Sequence, residues 1–61
     1  MNEKLKIELM RRGITQTVFS IRVKISESIL SRIIRGYRMP TEEQKKVIAA
    51  ELGLDISDLF A

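Results

Sequence analysis

Apolar side chains recur along this chain in short bursts with helical spacing, and no run alternates with the period of two that a half-buried strand requires. Every burst is bounded by residues that start or stop a helix. The first helix is expected over about residues 3–12, halting at Gly13, with Arg11 and Arg12 in its last turn, where cations favour the negative end of the helix dipole. Ile14 then returns to the core. Thr15 suits the N-cap of a second helix over residues 16–23, whose Val18, Phe19 and Val23 fall at helical spacing on one face. After Lys24 and Ile25, Ser26 caps a third helix over residues 27–35 that turns Leu30 and Ile33 inward and ends at Gly36. The linker Tyr37-Arg38-Met39-Pro40 follows, and Pro40 disfavours a helical Met39. Thr41 and Gln44 form a capping-box signature for a fourth helix over residues 42–52, closed by Gly53. Its inward face is expected to be Val47, Ile48 and Leu52, with Ala50 and Glu51 at the edge. Asp55 is expected to cap a last short helix over residues 56–60 that docks Leu59 and Phe60.

Length limits what such a bundle can do. A chain of 61 residues is expected to form one domain, 1–61, and to bury only about 60% of the surface its unfolded form exposes, which leaves little room for a catalytic cleft with its own supporting shell. Cys and His are both absent from the sequence, which removes thiol chemistry, disulfides, the usual structural zinc ligands and the commonest general base. The carboxylates are scattered, and neither a glycine-rich phosphate loop nor a nucleophile with a base beside it is present, so no enzyme activity, metal, cofactor or small-molecule ligand is expected. The longest apolar run is the four residues Val47 to Ala50, far short of the ~20 that span a bilayer, and the N-terminal residues lack an apolar signal core. A cytoplasmic location without membrane association is therefore expected.

Charge adds an asymmetry. Residues 1–40 carry nine Lys/Arg against Glu3, Glu8 and Glu27, a net of +6, whereas residues 41–61 carry Lys45 and Lys46 against five acids, a net of −3. A basic front and an acidic back suit a polyanion met from one side; solvated helix surface is the alternative reading of the same charges.

The stretch that runs from Ile14-Thr15-Gln16 to Val23-Lys24-Ile25-Ser26-Glu27-Ser28-Ile29-Leu30-Ser31-Arg32-Ile33-Ile34-Arg35-Gly36-Tyr37-Arg38-Met39-Pro40 resembles, in a match that needs no gap, the helix-turn-helix of the lambda-repressor/Cro-like family, also called the XRE family. Ala49-Ala50-Glu51-Leu52-Gly53-Leu54 and Ile56-Ser57-Asp58-Leu59-Phe60 are similar to the family's fourth and closing helices, so the likeness extends over nearly the whole chain. It implies a compact five-helix, all-α DNA-binding domain in which helix 2 supports a recognition helix 3. In the family the recognition helix enters the major groove by its N-terminal end, which here brings Glu27, Ser28, Ile29, Ser31 and Arg32 towards base edges.

The chemistry of each position fits more than one role. Arg32 can read guanine bidentately or remain a solvated surface arginine; Ser28 and Ser31 are small enough for close approach. Glu27 can accept from cytosine N4 or simply favour the positive helix N-terminus, and Ile29 can meet a thymine methyl or be a stray surface apolar residue. By the resemblance, Gln16 holds a phosphate and buttresses the recognition helix, while Arg35, Tyr37 and Arg38 contact the phosphate backbone; packing against Pro40 is the alternative for Tyr37. Arg11, Arg12, Arg22 and Lys24 contribute only to the field.

Two positions depart from the family. Lys24 stands in the turn where the family usually has Gly, and a left-handed Lys24 costs roughly 1–2 kcal/mol, so an altered turn is one outcome. Ile34 stands where a polar residue is common and Ile7 lies opposite Leu5, which leaves two large apolar side chains to pack together or to form a dimer contact. The resemblance implies sequence-specific binding of double-stranded DNA by a transcription regulator, a repressor of the phage or mobile-element kind acting as a homodimer on an inverted repeat. The competing reading is a protein-interaction module of the antitoxin or anti-repressor type, docking through Ile7, Ile29 and Ile34.

Overall fold

Five helices follow one another in the computed structural model, which describes residues 2–60: α1 (Glu3–Arg11), α2 (Gln16–Val23), α3 (Glu27–Arg35), α4 (Glu42–Leu52) and α5 (Ile56–Phe60). Met1 and Ala61, the ends of the expected 1–61 domain, lie outside the described residues, among which no strand occurs. The starts of the helices are built by side chains. Oγ1 of Thr15 accepts from the Val18 N–H, Oγ of Ser26 from the Ile29 N–H, and Thr41 and Gln44 exchange both bonds of a capping box. At α5 the arrangement is reversed from the expectation, for the Asp55 N–H donates to Oδ2 of Asp58.

The ends of α1 to α4 share one pattern of two backbone hydrogen bonds that satisfies carbonyls left free in the last turn. Ile14 and Gly13 donate to Leu9 and Met10, Ile25 and Lys24 to Ser20 and Ile21, Tyr37 and Gly36 to Arg32 and Ile33, and Leu54 and Gly53 to Ala49 and Ala50. The pattern needs a left-handed residue at each end, and the four values of φ are 67°, 57°, 83° and 67°. Three of these seats hold glycine and the second holds Lys24. Lysine therefore does not alter the turn between α2 and α3; it occupies the glycine conformation at a conformational cost. At the first of these ends the structure also shortens the expected helix, which stops at Arg11 with Arg12 as its cap.

Leu5, Leu9, Phe19, Val23, Ile25, Leu30, Ile33, Ile34, Ile48, Ala49, Leu52 and Leu59 form the buried core. Three placements differ from the sequence reading. Val18 is 42% exposed, because the inward arc of α2 is set by Phe19, Ser20 and Val23, one and four residues apart. Ser20 can be buried there because its hydroxyl donates back to the Thr17 carbonyl at 2.7 Å, leaving no unpaired polar atom. In α4 the inward alanine is Ala49, with Ala50 exposed. Ile34 is 3% exposed and belongs to the core, since α1 lies against α3 and the Asn2 N–H donates to the Ile34 carbonyl. It thus neither pairs with Ile7 at the surface nor offers itself to a partner; of the two, Ile7 is the exposed one.

Two polar side chains tie the bundle together. Asn2 caps α1 by accepting the Leu5 N–H, while its Nδ2 donates to the Leu59 carbonyl at 2.9 Å. Arg12 bonds Glu8 through Nε and, through Nη2, donates at 2.7 Å to the carbonyl of Leu52 at the end of α4. Its guanidinium is therefore a clamp between α1 and α4 rather than a general contributor to a surface field.

Candidate nucleic-acid interface

Successive residues of a helix turn by roughly 100°, so the buried Leu30, Ile33 and Ile34 of α3 fix which residues face outward. Glu27, Ser28, Ser31, Arg32 and Arg35 all fall within an outward arc of roughly 140°. Ser31 is half-buried, and the other four are exposed. Ile29 lies outside it. It is half-buried against the core and, with Val23, Ile25, Gln44 and Val47, lines a recess of about 300 Å³ between the α2–α3 turn and α4. Ile29 is thus half-buried, where the sequence reading expected it exposed.

The arc is rich in unneutralised positive charge. The two ion pairs among the described residues engage Arg12 with Glu8 and Lys45 with Glu42, leaving Arg32, Arg35 and Arg38 without an acidic partner. Tyr37 and Arg38 continue the surface beyond Gly36; Tyr37 is 79% exposed, so packing against Pro40 covers little of it. The nine residues of α3 span about 13 Å, comparable to four base-pair steps of duplex DNA.

The N-terminus of α2 stands beside that of α3. Oγ1 of Thr17 donates to Oε1 of Glu27 at 3.0 Å, a link across ten residues of chain that joins the second residue of α2 to the first of α3. Gln16, half-buried, opens α2 next to this link. The N–H groups of Gln16 and Thr17 precede the first intrahelical bond of α2 and point out of its positive end, an arrangement suited to a phosphate. Helical phase thus puts Glu27, Ser28, Ser31, Arg32 and Arg35 on one face of α3, the Thr17 bond brings the start of α2 beside it, and Tyr37 and Arg38 lie in the exposed loop that follows. Sequence reasoning missed Thr17. A hydroxyl residue at the second position of a helix is ordinary, and only the crossing of α2 over α3 shows what it meets.

A domain in which a short capped helix crosses a second, outward-facing helix through a tight turn is a helix-turn-helix. Residues 5–59 match the family model described as Helix-turn-helix, and the chain belongs to that family, in its XRE or lambda-repressor-like branch. Membership supports sequence-specific DNA binding and transcription regulation in general, and the family is typically non-enzymatic. No curated protein and no solved structure is significantly similar to the chain. Among the described residues no helix is long and apolar enough to cross a membrane.

Proposed function

We propose that the chain is a repressor of the phage or mobile-element kind that binds an inverted-repeat operator as a homodimer, each copy placing α3 in the major groove. The observation that carries this reading is the outward arc of α3, where small and polar side chains stand beside two arginines without acidic partners and next to the free N-terminus of α2. Glu27, Ser28, Ser31 and Arg32 read bases; Ile29 supports the helix from the core side. Gln16, Arg35, Tyr37 and Arg38 hold phosphates, so they set register and affinity without reading sequence. Two copies then address half-sites about one helical turn apart. The protein-interaction reading loses support because Ile34 is buried and Ile29 half-buried, which leaves Ile7 as its single exposed anchor.

Selection from random duplex DNA, followed by binding isotherms at two salt concentrations, tests the proposal. The expected result is a symmetric motif and an affinity that falls linearly on logarithmic axes between about 50 and 200 mM salt. Arg32→Ala should cost about 1–3 kcal/mol on the selected site and relax one base pair. Gln16→Ala and Arg35→Ala should weaken all sequences alike, and the arginine change should reduce the salt slope by about one unit. A flat salt response, or no enriched motif, would overturn the assignment.

A further inference from the structure

The bond between Thr17 and Glu27 has a consequence for which base Glu27 selects. An ionised carboxylate only accepts hydrogen bonds, and one of its two oxygens, Oε1, is already occupied by the Thr17 hydroxyl at 3.0 Å. The hydroxyl has a single proton, so donating it to Glu27 biases that exposed side chain towards one orientation at the first position of α3 and leaves Oε2 as the more available acceptor. In the major groove, cytosine and adenine present exocyclic amino groups, whereas guanine and thymine present acceptor oxygens at the corresponding edge. A pinned carboxylate oxygen is satisfied by the first pair and repelled by the second. An unpinned glutamate would swing its charge into solvent and discriminate less, because holding a long side chain in one rotamer costs conformational freedom at the moment of binding.

We infer that Thr17, which lies on the supporting helix, is a specificity-determining residue: it positions the Glu27 carboxylate so that the one operator base facing it must be cytosine or adenine, whose amino group can donate to it. The inference rests on the DNA-binding reading above and adds a residue and a base class to it. Thr17 does so without contributing charge, so its effect falls on preference at one base pair rather than on affinity for DNA as such.

The experiment compares the binding profiles of the full chain on the selected operator and on every single-base variant of it. Thr17→Val keeps the branched shape and removes the hydroxyl, and Thr17→Ser keeps the hydroxyl. Thr17→Val should lower the preference for cytosine or adenine at one base pair by about threefold to tenfold, with binding to unrelated duplex changed less than about twofold. Thr17→Ser should retain the preference. In a Glu27→Ala background, Thr17→Val should have no further effect at that base pair, as expected of residues acting through one link. Three results for the variants would overturn the inference: an unchanged profile, an equal loss on all sequences, or a Thr17→Val effect that persists without Glu27. A wild-type chain with no base preference would overturn this inference and the proposed function together. A selective wild-type chain with an indifferent Thr17→Val variant would remove the role of Thr17 alone.

Discussion

Replacing Lys24 by glycine is expected to stabilise the protein. Lys24 sits at φ 57° and ψ 37°, in the conformation that Gly13, Gly36 and Gly53 adopt at the ends of their helices. A side chain with a Cβ loses roughly 1–2 kcal/mol there, while glycine gives back about 0.4–1 kcal/mol through the greater freedom of its unfolded chain. The difference is a net gain of about 0.5–1 kcal/mol, or a rise in Tm of about 3–6 °C in a domain of this size. Thermal and urea unfolding followed by circular dichroism would measure it. Lys24→Ala removes the charge and retains the Cβ, so it should remain within about 0.5 kcal/mol of the wild type. Gly53→Ala is the reciprocal change, since an added Cβ there meets nothing within 4 Å and only backbone strain opposes it. It should cost about what Lys24→Gly gains. A lower Tm for Lys24→Gly, or a Lys24→Ala variant as stable as the glycine one, would refute the reasoning.

Two further outcomes follow from the clamp and the core. Arg12→Ala should cost about 1–2 kcal/mol by urea unfolding, because the Leu52 carbonyl loses a charged donor, whereas Glu8→Ala should cost only about 0.5 kcal/mol, as an exposed ion pair does; equal losses would show that the ion pair is what matters. Ile34→Val should cost about 0.5–1.5 kcal/mol and Ile34→Ala about 2–5 kcal/mol, against less than about 0.5 kcal/mol for Ile7→Ala. A mild Ile34→Ala variant would contradict its burial.

The helices were legible because their punctuation is local. Thr15, Ser26 and Thr41 bond N–H groups within their own first turn, and Gly13, Gly36 and Gly53 act within their own last turn, so each signal is complete in a few residues of sequence. Local spacing misleads where a neighbouring helix decides. Ile34 is buried because α1 covers it, Ile29 is half-covered beside α4, and Val18 shares with Phe19 a spacing that Ser20 satisfies better from inside. Arg12 is any terminal arginine by sequence, and its partner lies forty residues away. The candidate interface was legible mainly by likeness to a family, which supplied the register of α3. Its polar link from Thr17 to Glu27 depends on the angle between two helices, which no local pattern encodes.

The bond from Asn2 to Leu59 also makes the two ends of the chain neighbours, 57 positions apart in sequence and joined at 2.9 Å. In this arrangement the order in which the helices are strung is separable from the way they pack. A short linker from the old end to the old beginning, with a new opening cut in the exposed stretch between Tyr37 and Met39, would give a circularly permuted chain with all five helices intact. The same adjacency means that chain leaving the helices before Asn2 and chain leaving them after Leu59 would depart from neighbouring points.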